Sequence, residues 1–147
     1  QERGLMMVSY SSELIDKICD EIAKGRSVIQ ICKQDGMPSQ DSFYRWLREN
    51  RDGMSEKYAR AREAQAHFYA EEIIAISDDG RHDYGTDDEG NPIVDHDHIA
   101  RARLRVDARK WYASKVAPKF YGDKVAIGGS DDLPPVAFTL TAEDQKV

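Results

Sequence analysis

The sequence predicts a mainly α-helical protein: a small N-terminal helical domain, a long helical hairpin and a short β-prone tail. Three observations carry this. Apolar residues recur at three- and four-residue spacing through most of the chain up to Val116, serines stand where helices would begin, and breaker runs divide the periodic stretches. Beyond Pro118 the pattern changes to short β-prone runs separated by Gly and Pro.

The first helix is predicted from Ser11 or Ser12, either of which suits an N-cap, and keeps Leu14, Ile15, Ile18, Cys19 and Ile22 on one face before Gly25 ends it. Ser27 caps a second helix from Val28 to Gln34, with Val28, Ile31 and Cys32 inward, and the run Asp35-Gly36-Met37-Pro38 closes it. Ser39 caps a third, Gln40 to Glu49. It buries Phe43, Trp46 and Leu47 and leaves Gln40, Asp41, Tyr44, Arg45 and Arg48 on the opposite side. Three short helices with a tight Gly-containing turn before the last form the pattern of a helix-turn-helix, placed at residues 8–52.

After a turn at Arg51-Asp52-Gly53, Ser55 is expected to cap a long helix to about Ser77, with Tyr58, Ala61, Arg62, Ala66, Tyr69, Ile73 and Ile76 in register. Its many alanines favour the helix and permit close approach of a neighbour. Residues 78–98 break the pattern with four glycine or proline residues and eight acidic ones, and read as a solvated acidic loop. A basic helix from roughly Ile99 to Val116 follows. Leu104, Ala108, Trp111, Tyr112 and Lys115 form its apolar stripe, expected to pack inward, while Arg101, Arg105 and Arg109 form a second stripe. Pro118 and the Tyr121-Gly122 corner end it and hand over to an extended run. The hairpin thus occupies residues 53–122 and the tail 123–147, where Lys124 to Ile127 and Val136 to Thr141 are β-prone. Two strands do not make a stable sheet alone, so other chains are their expected partners.

The net charge of −6 is unevenly spread: 0 over residues 1–65, −9 over 66–99, +6 over 100–124 and −3 over 125–147. Blocks of opposite sign can pair within the chain or between neighbours in an assembly. No run approaches the roughly 20 apolar residues of a membrane span, so a cytoplasmic location without membrane contact is expected. Cys19 and Cys32 sit among apolar residues at helical spacing and read as small core residues.

The third helix carries the first functional hypothesis. Gln40 and Arg45 are the candidate base readers, since Gln pairs bidentately with adenine and Arg with guanine, while Lys33, Ser39, Tyr44 and Arg48 would hold the phosphate backbone. The same residues also suit the plain solvent face of a small bundle. The acidic loop offers His82, Asp83, Asp87, Asp88, Glu89, Asp95, His96, Asp97 and His98, but their spacing matches neither a calcium hand nor a zinc helix, so no metal or cofactor is assigned. Arg101, Arg105 and Arg109 could face nucleic acid, though pairing with Glu63, Glu71, Glu72 or the acidic loop suits the composition better. Enzyme signatures are absent: no Gly-rich phosphate loop, nucleophile motif or His-Glu zinc helix is present, and no catalytic residue is assigned.

Four segments together, Phe43 to Leu47, Tyr58 to Ala66, Glu71 to Asp79 and Arg103 to Val125, resemble the small terminase subunit of tailed bacteriophages and prophages over roughly residues 10–127. The resemblance implies an N-terminal helix-turn-helix, a central antiparallel pair of helices that builds a ring of about eight to ten subunits, and C-terminal strands joined between subunits as a barrel. It implies recognition of double-stranded viral DNA for packaging, and recruitment of the large terminase subunit, an ATPase and nuclease. Tyr58, Tyr69, Ile73, Arg101, Arg105, Arg109, Trp111 and Tyr121 are then the candidate oligomerisation residues. Two rivals remain at this stage. One is a dimeric helix-turn-helix transcription regulator; the other is a metal-dependent nuclease using the acidic loop.

Overall fold

Ser11 and Ser27 begin the first two helices through their side chains. The Ser11 hydroxyl accepts the Leu14 amide at 3.1 Å and starts α1 (Ser12–Ala23). Ser27 accepts the Gln30 amide at 3.2 Å while the Gln30 side chain accepts the Ser27 amide at 3.0 Å, a reciprocal box that starts α2 (Val28–Cys32). Ser39 accepts the Ser42 amide at 3.2 Å and starts α3 (Gln40–Arg48). Each serine satisfies an amide that the helix itself leaves without a partner, worth about 1 kcal/mol. The computed structural model describes residues 8–123. Both β-prone runs of the tail, and with them the expected barrel, lie outside the described residues.

The three helices close around Ile15, Ile18, Ile22, Val28, Ile31, Phe43 and Trp46, all buried. Tyr10 meets Trp46 edge to face, with ring centroids 5.3 Å apart. This head does not close by itself, because Met54, Ala61 and the half-buried Tyr58 complete its core from the next helix.

That helix, α4 (Met54–Asp78), follows a 3-10 turn at Arg51–Gly53. Its start corrects the sequence reading. Ser55 lies inside the helix, and the capping acceptor is Asn50, whose side-chain oxygen takes the Ser55 amide at 2.9 Å. Asn50 itself sits at φ 48, left-handed backbone that asparagine tolerates better than most residues.

The acidic segment is also more ordered than a solvated loop. β1 (Tyr84–Thr86) and β2 (Pro92–Val94) pair antiparallel, with Tyr84 opposite Val94 and Thr86 opposite Pro92. Asp87 builds the turn: its carboxylate accepts the Asn91 main-chain amide at 2.8 Å, the Asn91 side-chain amide at 3.1 Å and the Glu89 amide at 3.0 Å, which together hold it below the usual carboxylate range. Gly90 supplies the positive φ of 87° that the turn requires. The Asp95 side chain then accepts the His98 amide at 2.9 Å, so α5 (His96–Val116) begins three residues earlier than the periodicity suggests. α5 stops at Val116, two residues before the expected breaker Pro118. Pro118 then opens a short α6 (Pro118–Tyr121), since its fixed φ suits a first helical position.

α4 and α5 pack as an antiparallel hairpin along a seam of small residues, Ala66 against Ala113, Ala117 and Val116. Here the expected inward stripe is corrected for Leu104 and Trp111, while its Tyr112 does face inward toward Gln65. Leu104 is 58% exposed and Trp111 65%, while Ala113 is buried. Small side chains on both helices let the axes approach closely, and the bulky indole is left on the outer surface. Among the described residues no helix is long and apolar enough to cross a membrane.

Candidate nucleic-acid interface and assembly surfaces

On α3 the spacing 40, 41, 44, 45, 48 places Gln40, Asp41, Tyr44, Arg45 and Arg48 on one exposed face. Phe43 and Trp46 anchor the opposite face in the head, fixing which way the polar residues point. Among the described residues neither Arg45, Arg48 nor Lys33 forms an intramolecular ion pair. Lys33 follows α2 directly and is exposed. Ser39 differs from the others, because its hydroxyl is already engaged by the Ser42 amide and by the Ser42 hydroxyl at 3.0 Å. The arrangement offers two guanidiniums, an ammonium, an amide and a phenol toward solvent from one helix and the end of its neighbour.

A buried polar cluster holds this head on the hairpin. The Gln65 side chain, 1% exposed, donates to the Arg26 carbonyl at 2.9 Å and accepts from the Tyr112 hydroxyl and, at 3.4 Å, from Arg62. The Tyr69 hydroxyl donates to the Gly25 carbonyl at 2.7 Å. The turn between α1 and α2 therefore seats on the middle of α4. Gly25 makes that seat possible: φ is 91°, and an added Cβ would stand 2.5 Å from the Phe68 ring. The Arg62 guanidinium lies 4.9 Å from the Tyr112 ring centroid, and Tyr69 meets Tyr112 edge to face at 5.3 Å. Burial pushes the Tyr112 phenol up to about 12 and raises those of Tyr58 and Tyr69. Sequence reasoning missed Gln65. The signal for it was one uncharged polar residue beside Ala61, Ala66 and Tyr69 of the inner stripe.

The expected oligomerisation residues fall into separate places. Tyr58 packs into the head core, and Tyr69 is half-buried inside the protomer. Ile73 and Trp111 line a shallow groove with Tyr121, whose hydroxyl lies 2.7 Å from His67 Nδ1. Arg109 pairs with Glu72 at 2.7 Å across the seam and lies over the Tyr69 ring. Arg101 and Arg105 are exposed and, among the described residues, form no ion pair within the protomer. Arg105 nonetheless lines a shallow pocket with Glu72, Ala75 and Ile76 of α4.

In the acidic segment the carboxylates of Asp79, Asp83, Asp87 and Asp95 serve local structure. Asp79 is bridged by Arg81 at 2.7 Å, which holds it well below the usual range, and Asp83 lies 3.2 Å from His98 Nδ1. Among the described residues no three His, Cys, Asp or Glu side chains gather as a metal-ligand set.

A three-helix head seated on an antiparallel hairpin is the fold of a viral terminase small subunit. Three solved structures of the terminase small subunit gp1 of the bacterial virus Sf6, each with a single substitution, share it. One has a TM-score of 0.67 at 36% identity, covering 90% of this chain and 99% of that one. The others have TM-scores of 0.66 at 35% and 34% identity, each covering 92% of this chain and 96% of that one. A family model described as "Bacteriophage Sf6, terminase small subunit-like" matches residues 10–128, and the chain belongs to that family. The comparison with curated proteins gave no match.

Proposed function

We propose that this protein recognises double-stranded viral DNA at the start of packaging, assembles as a ring of identical subunits, and brings in the large terminase subunit that carries the ATPase and nuclease. In this reading α2, the following turn and α3 act as a helix-turn-helix, with α3 in the major groove. Gln40 and Arg45 read base edges, while Lys33, Tyr44 and Arg48 hold phosphates. The observation that carries it is the exposed polar face of α3 on a chain of the terminase small subunit family. The protein is not itself a catalyst in this scheme and works in the host cytoplasm.

A single head would bind weakly, because residues 1–65 carry no net charge and Asp41 shares the reading face. Several heads on one ring raise the effective affinity without new contacts. Mobility shift of phage packaging-site DNA at fixed salt, alongside native mass spectrometry, tests both parts. Arg45→Ala should weaken DNA binding and leave the oligomer mass unchanged. Equal binding by the variant would remove Arg45 from the interface, and a dimeric mass for the unmodified chain would overturn the ring.

A further inference from the structure

The ribbon of β1 and β2 is exposed along its whole length, from Tyr84 to Thr86 on one strand and from Pro92 to Val94 on the other. Tyr84 is 67% exposed, Ile93 49% and Val94 43%, although strands usually bury such residues against a neighbour. A two-stranded ribbon is marginal in water without a third strand or a covering surface. Its register leaves one edge complete. The Asp87 amide donates to the Asn91 carbonyl at 2.9 Å and the Asp95 amide to the Asp83 carbonyl at 2.8 Å. In an antiparallel pair such rungs fall on every second residue, so the N–H and C=O of Tyr84 and Thr86 point away from β2. On the opposite edge the outward positions are Val94 and Pro92, and Pro92 has no N–H to donate.

An uncovered edge with outward main-chain groups is a template for another strand. Charge selects which strand. Asp88, Glu89 and Asp97 are exposed and form no ion pair among the described residues, whereas Arg81, the cation nearest β1 in sequence, is held by Asp79. Residues 66–99 carry −9 in all. That field repels DNA, the same edge of a second copy, and the chain's own residues 125–147, which carry −3. The basic surface of α5 is helical, so its main chain is already paired and has nothing to offer an open edge. We infer that β1 takes a third strand from the large terminase subunit, an extended segment bearing Lys or Arg among β-branched or aromatic residues, paired along Tyr84 to Thr86. Its cations meet the acidic turn at Asp88 and Glu89. This assignment rests on the recruitment proposed above and gives it a surface.

Thr86→Pro removes one outward N–H and leaves the rungs to β2 in place, because proline is tolerated where the N–H faces away from the sheet. Thr86→Val keeps the edge. Asp88→Asn combined with Glu89→Gln keeps the edge and removes the charge. Binding of the full-length large terminase subunit to each full chain is measured over a salt series. It should be about tenfold weaker for Thr86→Pro, unchanged for Thr86→Val, and weaker and less salt-dependent for the double variant. DNA mobility shift and native mass should match the unmodified chain throughout, which also shows that the variants are folded. Full binding by Thr86→Pro, an equal loss with Thr86→Val, or a double variant with unchanged affinity and salt dependence would overturn the edge assignment. So would a changed mass or DNA shift for Thr86→Pro, by giving the edge to assembly or to DNA. A large subunit that ignores the unmodified chain would instead sink the recruitment reading beneath it.

Discussion

Gln65 on α4 donates its side-chain amide to the main-chain carbonyl of Arg26, 2.9 Å away, in the turn between α1 and α2. The contact joins the head to the hairpin at a point with almost no access to water. A buried carbonyl that loses its partner costs roughly 1–3 kcal/mol. Gln65→Leu, similar in volume, is therefore expected to lower Tm by several degrees, because it leaves both the Arg26 carbonyl and the Tyr112 hydroxyl unpaired. Calorimetry checks this, and an unchanged Tm would show that the cluster adds nothing to stability.

Tyr112 sets an alkaline limit. Its phenol is raised, chiefly by burial, from the ordinary value of about 10 to about 12. The raised value favours the protonated form in the folded chain, so this stability is fully present below about pH 10 and is lost as pH climbs toward about 12. Tyr58 and Tyr69 shift the same way. Stability should thus fall across this window, and Tyr112→Phe should fall less steeply than the unmodified chain. Denaturant titrations at stepped pH decide it; parallel curves would mean that Tyr112 ionises as freely folded as unfolded.

Phe43 and Trp111 separate the buried core from the exposed surface. Phe43 is fully buried against Tyr58 in the head, so Phe43→Ala is expected to cost about 3–5 kcal/mol. Trp111→Ala should change protomer unfolding by less than about 0.5 kcal/mol, measured where the mass shows a monomer, because the ring is mostly solvated there. A large loss from Trp111→Ala under those conditions would return the indole to the protomer core.

Lys33 and Gln40 test different halves of the DNA contact. Lys33→Ala should weaken binding alike on specific and unrelated DNA and reduce its salt dependence, the behaviour of a phosphate contact. Gln40→Ala should lower discrimination between packaging-site and unrelated DNA more than overall affinity. Binding isotherms over a salt series on both DNAs provide the measurement. Identical changes from the two substitutions would erase the assigned split.

The head was legible from sequence because its signals are local. Ser11, Ser27 and Ser39 each cap through an amide three residues on, and Ile15, Ile18 and Ile22 mark one face of a single helix. The polar face of α3 followed from the same spacing. The turn at Asp87 to Gly90 was local as well, yet the surrounding acidic composition hid its two short strands, whose side chains are exposed on both faces and so show no alternation.

What the sequence by itself determined, then, is where helices start, where most of them stop and which residues face the head core, because capping and periodicity act within a turn or two of chain. Only the tertiary structure decided which side of α5 meets α4. The stripe through Leu104 and Trp111 and the stripe through Ala102, Val106 and Ala113 both satisfy helical spacing, and the choice fell to the small residues that let Ala66 and Ala113 close the seam. Gln65 likewise takes its place from Arg26 and Tyr112, which lie 39 and 47 residues away along the chain. No local pattern encodes a contact at that distance, because it forms only when packing brings the surfaces together.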